Sequence, residues 1–329
     1  MIRKIFLAAL LLSWISCSSP DNKKSAEQPE STGLSQLIKA NPDDPELYFE
    51  RAKVYYQHEA FNAAIDDLNR AIELDASKPK YYHSLSDVYL DSYKSKKAIE
   101  TLEKAHELFP DDIKTLLKMS EDYVILLDNE SAMVCVDKIM NLDNQNAEGY
   151  FMMGMIFRNI GDKERAINAF QSAIEIEPEL YDAWILIGQL HEDLGNEVAI
   201  QYFNSAIDLD PTNINGWHSK AFYLQNQDQI PEALEIYRKI NKIDKQFEEA
   251  YLNAGLLYLS LDSIPQAYDQ FNILVSVSPI SYLGFYYRGI ANEMMNKSSQ
   301  AKEDYEVCLR INPSFEKAKK ALASIGKEL

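Results

Sequence analysis

The 329-residue chain carries 33 Lys and Arg against 51 Asp and Glu, a formal net charge of −18, and 46% of its residues are hydrophobic. That much apolar material excludes a broadly disordered chain, and the acid excess argues against nucleic-acid binding, which needs clustered Lys and Arg to neutralise phosphates. Glycine is scarce at 11 residues and neither common Gly-rich phosphate loop is present, so nucleotide chemistry finds no footing.

The chain opens with two cations, Arg3 and Lys4, followed by an apolar run from Ile5 to Ile15 broken only by Ser13. That run is too short to span a bilayer as a permanent helix. Residues 1–16 are therefore expected to be a secretory signal. The following Ser16-Cys17-Ser18-Ser19-Pro20 resembles the cleavage and acylation site of bacterial lipoproteins, with Ile15 and Ser16 in agreement and Trp14 standing where an aliphatic is usual. The resemblance implies a lipid on Cys17 and a chain anchored in the cell envelope. Ser18 rather than Asp after the cysteine implies the outer membrane more than the inner. The plainer alternative is a secretory signal followed by an incidental cysteine. Residues 18–33, rich in Ser, Lys, Pro, Asn and Glu, are expected to be a flexible tether.

From Pro45 onward the chain repeats itself. Alanine recurs at 64, 98, 132, 166, 199, 233, 267 and 301, always 34 residues apart except for one step of 33. Sixteen residues before each alanine, or fifteen in the unit that is one residue short, stands a large ring: Tyr48, Tyr82, Tyr150, Trp184, Trp217, Tyr251 and Phe285, with Leu116 the exception. Four residues after the ring only small side chains occur: Ala52, Ser86, Ser120, Gly154, Gly188, Ala221, Gly255 and Gly289. Proline closes five units, at 110, 178, 211, 279 and 313, and opens second helices at 231 and 265, where a missing N–H costs little. Apolar residues at helical spacing within each unit predict two close antiparallel helices, with small residues letting the backbones approach. Neither helix pair can bury its faces alone, so stacked neighbours must supply the core.

This pattern resembles the tetratricopeptide repeat (TPR) family. Unit four carries it almost throughout: Tyr150, Met153-Gly154, Phe157, Ala166, Phe170, Ala173 and Pro178. The resemblance implies an all-α, right-handed superhelical solenoid of about eight helix-turn-helix units plus a C-terminal capping helix. The units fall at 45–78, 79–112, 113–146, 147–180, 181–213, 214–247, 248–281 and 282–315. Residues 17–44 then hold the lipidated cysteine, the tether and a short front cap over Leu34–Pro42. Residues 316–329 form the polar helix that solvates the far end.

Catalytic constellations are missing. His83 and Asp87 share a helix face but have no His-Glu-x-x-His partner string, and are expected to be an exposed helix pair. His191 occupies a position where the repeat usually has tyrosine and is expected to be a packed ring. Cys308 falls at a small-residue position between helices and Cys135 on the second helix of unit three; both are expected to be free and structural. No metal site, cofactor or small-molecule chemistry is implied, and no enzyme activity.

In the TPR family the first helix of each unit lines a concave surface through its positions 2, 5, 9, 12 and 13. Transferred by frame, this exposes Phe49, Lys53, Lys80, His83, Lys114, Phe151, Met155, Arg158, Ile185, Gln189, Glu192, Asp193, His218, Phe222 and Asn226, among others. Its cations, Lys53, Lys80, Lys114 and Arg158, fall in units one to four. Later units offer acids and an apolar set at Phe222, Leu252, Leu256, Leu259, Tyr286 and Ile290, which a contiguous patch would make an interaction site. The expected partner-binding groove comprises those six residues with Glu293, Asp193 and Arg158. The Lys-Asn-Asn-Lys-Arg clamp of chaperone-binding family members is absent. The expected function is thus a non-enzymatic scaffold that binds another protein or peptide, tied to the membrane by its lipid, with no nucleic acid involved. The alternative is a glycan-binding lipoprotein of the SusD-like type, a family whose long insertions this chain lacks.

Overall fold

The computed structural model describes residues 29–328, and among them every regular element is a helix, eighteen in all. The expected signal segment at 1–16, the acylated Cys17 and the tether through residue 28 lie outside the described residues. The chain divides at Pro110 and Asp111 into two compact bodies. The first holds α1 (Pro29–Ala40), repeat one as α2 (Pro45–Gln57) and α3 (Phe61–Leu74), and repeat two as α4 (Pro79–Asp91) and α5 (Ser95–Leu108). The second holds repeats three to eight: α6 (Ile113–Ile125) and α7 (Asn129–Leu142), α8 (Ala147–Asn159) and α9 (Lys163–Ile176), α10 (Tyr181–Asp193) and α11 (Ala199–Leu209), α12 (Ile214–Asn226) and α13 (Ile230–Ile243), α14 (Glu248–Ser260) and α15 (Ile264–Val277), α16 (Tyr282–Met294) and α17 (Ser298–Ile311). It ends with α18 (Glu316–Glu328).

The recurring alanines explain the helix pairing. All eight are fully buried, where a methyl group is the largest side chain the crossing admits. The small residue at position 8 faces the side chain at position 24 of the second helix. An ideal Cβ on Gly154, Gly188, Gly255 or Gly289 would lie 2.6, 2.5, 2.4 or 2.6 Å from the ring of Phe170, Phe203, Phe271 or Tyr305. Repeats one to three solve the same volume problem with Ala52 or Ser against an aliphatic: Leu68, Leu102 and Val136 are just as buried. Repeat six is the exception, pairing Ala221 with Tyr237.

The ring at position 4 contributes more than packing. Tyr48, Trp184, Trp217 and Tyr251 each donate a hydrogen bond to the carbonyl six residues earlier, at Pro42, Pro178, Pro211 and Lys245, over 2.8 to 3.3 Å. This satisfies a carbonyl in the turn between repeats. The same turn is shaped by Asp75, Asp143, Asp210, Asp244 and Asn312, whose side chains accept from the backbone N–H two residues on.

Within every repeat the first helix ends in the same left-handed C-cap. The residue two past the cap bonds back to a carbonyl five residues earlier, as in Ala60 to Tyr55 and Lys297 to Asn292, both 2.8 Å. The intervening residue has positive φ in all eight repeats, yet only Gly161 and Gly195 are glycine. Tyr93 and Leu127 sit there at φ of 58° and 60° while 95% and 70% exposed, so their side chains recover little packing for the strain. Tyr93→Gly and Leu127→Gly are each expected to stabilise the fold by about 1 kcal/mol, the left-handed penalty outweighing the extra unfolded-chain entropy of glycine. Thermal unfolding checks this; an unchanged or lower midpoint in both variants contradicts it.

A cation at position 7 ties neighbouring second helices together in the first and last repeats. Arg51 donates from Nε and Nη2 to Asp67 (2.7 and 2.6 Å) and from Nη1 to Ser35 (3.0 Å). Arg288 likewise donates to Asp304 and, through Nη1, to Asn272 at 2.8 Å. Ser35 on α1 thus stands where Asn272 stands on α15, sixteen residues before the arginine. The front cap is therefore a second helix in register. It begins at Pro29, so residues 29–33, expected in the tether, are helical.

Candidate functional site

Where the second body opens a groove follows from what its first helices place at positions 9, 12 and 13. Arg158 ends α8; Gln189, Leu190, Glu192 and Asp193 end α10; His218, Ser219, Phe222 and Asn226 lie along α12, and Gln227 is its C-cap. Together they line a concavity of about 620 Å³. Polar side chains dominate it, and Phe222 stands at it 44% exposed, an apolar anchor point beside amides and charges.

Its electrostatics are uneven. Two acids in the last turn of α10 oppose the partial negative charge of that helix end, and both have neighbours that offset it. Lys163 lies 3.1 Å from the Asp193 carboxylate, and Asn226 donates to Glu192 at 2.8 Å. Arg158 suits its own helix end but is half-buried. Burial pushes its guanidinium down from its ordinary range, and the Asp193 charge offsets this in part. His218 packs edge-on to Phe247 at 5.5 Å, and burial holds its imidazole below the usual histidine range, with Glu249 pulling the other way.

Of the residues expected to form the binding surface, the groove brings together Arg158, Asp193 and Phe222. The other six lie farther along. Leu252, Leu256 and Leu259 are half-buried and pack on a cluster of Ile264, Ala267, Phe271 and Ala291. Tyr286 and Ile290 pack on Ala301, Tyr305 and Ile325, with Ala321 and Leu322 of α18 beside them. Glu293 accepts a hydrogen bond from the Tyr305 hydroxyl. Cys17 lies outside the described residues.

Several residues that the repeat frame turns toward the open face are buried: Phe49, His83, Phe151, Met155 and Ile185. First helices of neighbouring repeats touch, as α6 with α8 and α10 with α12, so position 5 lies in their seam. In the first body Phe49 packs on the Tyr81 ring at 5.1 Å, with the Lys80 ammonium 4.8 Å from its centroid. His83, expected on an exposed helix face with Asp87, is buried. Lys53 and Lys80 are paired to Glu50 and Glu46 at 2.8 and 2.6 Å. By frame, Gln189, Glu192, His218 and Asn226 face the concave side; Leu190, Ser219 and Gln227 do not, and only their placement at the ends and inner flanks of the helices brings them in.

His191 stacks on Tyr202 at 5.2 Å as a packed ring. Cys135 and Cys308 are buried free thiols, each pushed up to about 11 by burial, which leaves little thiolate for chemistry. Among the described residues no group of three or more His, Cys, Asp or Glu is placed to hold a metal ion, and no helix is long and apolar enough to cross a membrane.

Comparison with known proteins gives the same architecture. Tetratricopeptide repeat models match residues 79–112, 147–180 and 181–213, with related models of the same description matching 202–235 and 34–79. The general transcriptional corepressor ssn6 of Schizosaccharomyces pombe is 28% identical over 123 residues, 37% of this chain and only 11% of its own length. The C-terminal part of a TPR repeat-containing protein from Cytophaga hutchinsonii superposes with a TM-score of 0.59 at 16% identity, over 74% of this chain and 99% of that one. A chain of the APC/C hetero-tetramer Cut9–Hcn1 gives 0.52 at 17% identity, over 90% of this chain and 58% of that one. At these identities the structures speak for the fold. With its matched repeats spread over just more than half its length and all eight built on one helix-turn-helix plan, the chain belongs to the tetratricopeptide repeat family.

Proposed function

We propose that this chain is a non-catalytic scaffold of the bacterial cell envelope, held by a lipid on Cys17, that docks a peptide segment of another protein in the concave groove. The family supports the coarse part, since its members bind proteins or peptides. The observation that carries the rest is the groove between α8, α10 and α12, where polar side chains surround an exposed Phe222 and leave about 620 Å³ unfilled. An aromatic anchor within a hydrogen-bonding rim is the composition expected of a docking site. Leu252, Leu256 and Leu259 extend the apolar contact along the next repeat, half-exposed and available to a longer segment. The anchor is supported by the charged start, short apolar run and cysteine at residues 1–17.

The test is affinity capture from solubilised membranes with the native chain and with a Phe222→Ser, Gln189→Ala variant of unchanged helical circular dichroism. The variant is expected to lose a protein partner that the native chain retains, by about tenfold or more. Cys17→Ala is expected to move the native chain from the membrane to the soluble fraction. Equal recovery by both forms would contradict the groove; a membrane-bound Cys17→Ala chain would contradict the anchor. Capture of glycan with no protein would replace the scaffold by a glycan-binding function.

A further inference from the structure

Two helices of the chain are half-repeats, and the halves are complementary. The helix α1 is a second helix in register, and among the described residues it has no first helix to pair with. The frame would place that helix at residues 11–23, with Pro20 at its tenth position, where a helix interior does not tolerate proline. The reverse holds for α18, a first helix in register that no second helix follows among the described residues. Its Ala318 and Ile325, at positions 3 and 10, are buried as Ala250 and Leu257 are at those positions of α14.

The faces these two helices leave open are the ones that each complete repeat buries. Position 8 of the first helix and position 24 of the second meet at the helix crossing, and both are buried in all eight repeats. In α1 position 24 is Leu34, only half-buried. Position 27, between 0% and 1% exposed in the eight repeats, is Leu37 at 50%. In α18 position 8 is Ala323, exposed, beside the half-buried Leu322. Leu34 and Ala323 are the same residue pair that repeat one buries as Leu68 and Ala52, each 1% exposed. The two open faces therefore already have the volumes that the crossing needs.

We infer that α18 of one copy pairs with α1 of a second copy, completing a repeat between them, so that the chain associates with itself head to tail. Each open face identifies the occupant of the other, because the complete repeats show what covers a second helix with leucine at position 24. Charge favours the same register. Neighbouring first helices pair at position 2 in the first body, where Lys80 lies 2.6 Å from Glu46. In the completed repeat the exposed Lys317, position 2 of α18, stands beside Glu46 of the second copy. With Lys317, Lys319, Lys320 and Lys327 against Glu316 and Glu328, α18 is a cationic helix in a chain of net charge −18, which draws it toward another copy. A junction of two different surfaces is heterologous, so copies add in succession, as a ring or an open row. The inference is independent of the peptide groove, which lies in repeats four to six.

The experiment is sedimentation velocity of the full chain in mild detergent, from about 1 to about 100 μM. The native chain is expected to form larger species as its concentration rises. Ala323→Phe overfills the crossing, and Leu34→Glu, Leu37→Glu places charge in it. Each variant, with helical circular dichroism unchanged, is expected to weaken association by about tenfold or more. Mixed in equal amounts, the two are expected to form a dimer through the surviving pair, the intact α18 of one with the intact α1 of the other, and to stop there. Should the double substitution unfold α1, Leu37→Glu alone, at an exposed residue, takes its place. A native chain that stays monomeric, association unchanged in both variants, or a mixture that stays monomeric overturns the inference.

Discussion

Replacing Arg288 by leucine is expected to destabilise the last repeat by about 3–5 kcal/mol, the usual result of removing one partner from a buried ion pair. Asp304 is 4% exposed and accepts from Arg288 Nε and Nη2 (3.1 and 2.6 Å) and from Asn292 at 2.9 Å. Without the guanidinium its carboxylate keeps one amide donor and almost no water, and Asn272 loses its contact across the repeat boundary. The companion variant Arg288→Leu, Asp304→Leu removes both charges and is expected to recover most of the loss, because apolar pairs of similar volume often replace buried ion pairs at little cost. Urea unfolding followed by circular dichroism measures both. Hydrogen exchange should locate the single-variant loss in α16 to α18, since a repeat touches only its neighbours. If the double variant is as unstable as the single one, the loss is one of packing and the ion pair is not what holds the end.

At the helix crossings the expected result is a coupling. Gly255→Ala places a methyl carbon where 2.4 Å separates it from the Phe271 ring, too close without a shift of ring or helix. Overpacking of this kind costs about 1–3 kcal/mol, somewhat reduced by the better helix propensity of alanine. Phe271→Leu alone leaves a cavity and is expected to cost a further ~2 kcal/mol. Combined, they recreate the Ala52 and Leu68 pair that repeat one already buries. The double variant should therefore be more stable than the sum of the two losses predicts, by about 1 kcal/mol or more. Strict additivity would show that positions 8 and 24 do not compete for one volume.

The sequence carried the repeat frame because the residues that set it have no substitutes: a fully buried crossing admits alanine, and the turn between repeats favours a ring with a polar tip. It did not carry the left-handed caps at Tyr93 and Leu127, where the chain accepts strain without the glycine that would announce it. Nor did periodicity say how closely first helices approach. A repeat position fixes which way a side chain points, whereas the burial of Phe49 or Phe151 depends on the neighbouring repeat. Leucines at 252, 256 and 259 read as an open patch in sequence; each is half-buried against the cluster of Ile264, Ala267, Phe271 and Ala291, and it is the polar set on α10 and α12 that lines a groove.

That a partner lies in this groove is tested most directly by photo-crosslinking in cells, with a photoreactive residue placed singly at Phe222, Gln189 or Gln227 and, as controls, at the exposed second-helix positions Asn168, Gln201 and Glu235. Adducts of one protein from the first three positions and none from the controls are predicted. Adducts from the second-helix positions alone would contradict the proposal and move the binding surface to the other face of the repeats.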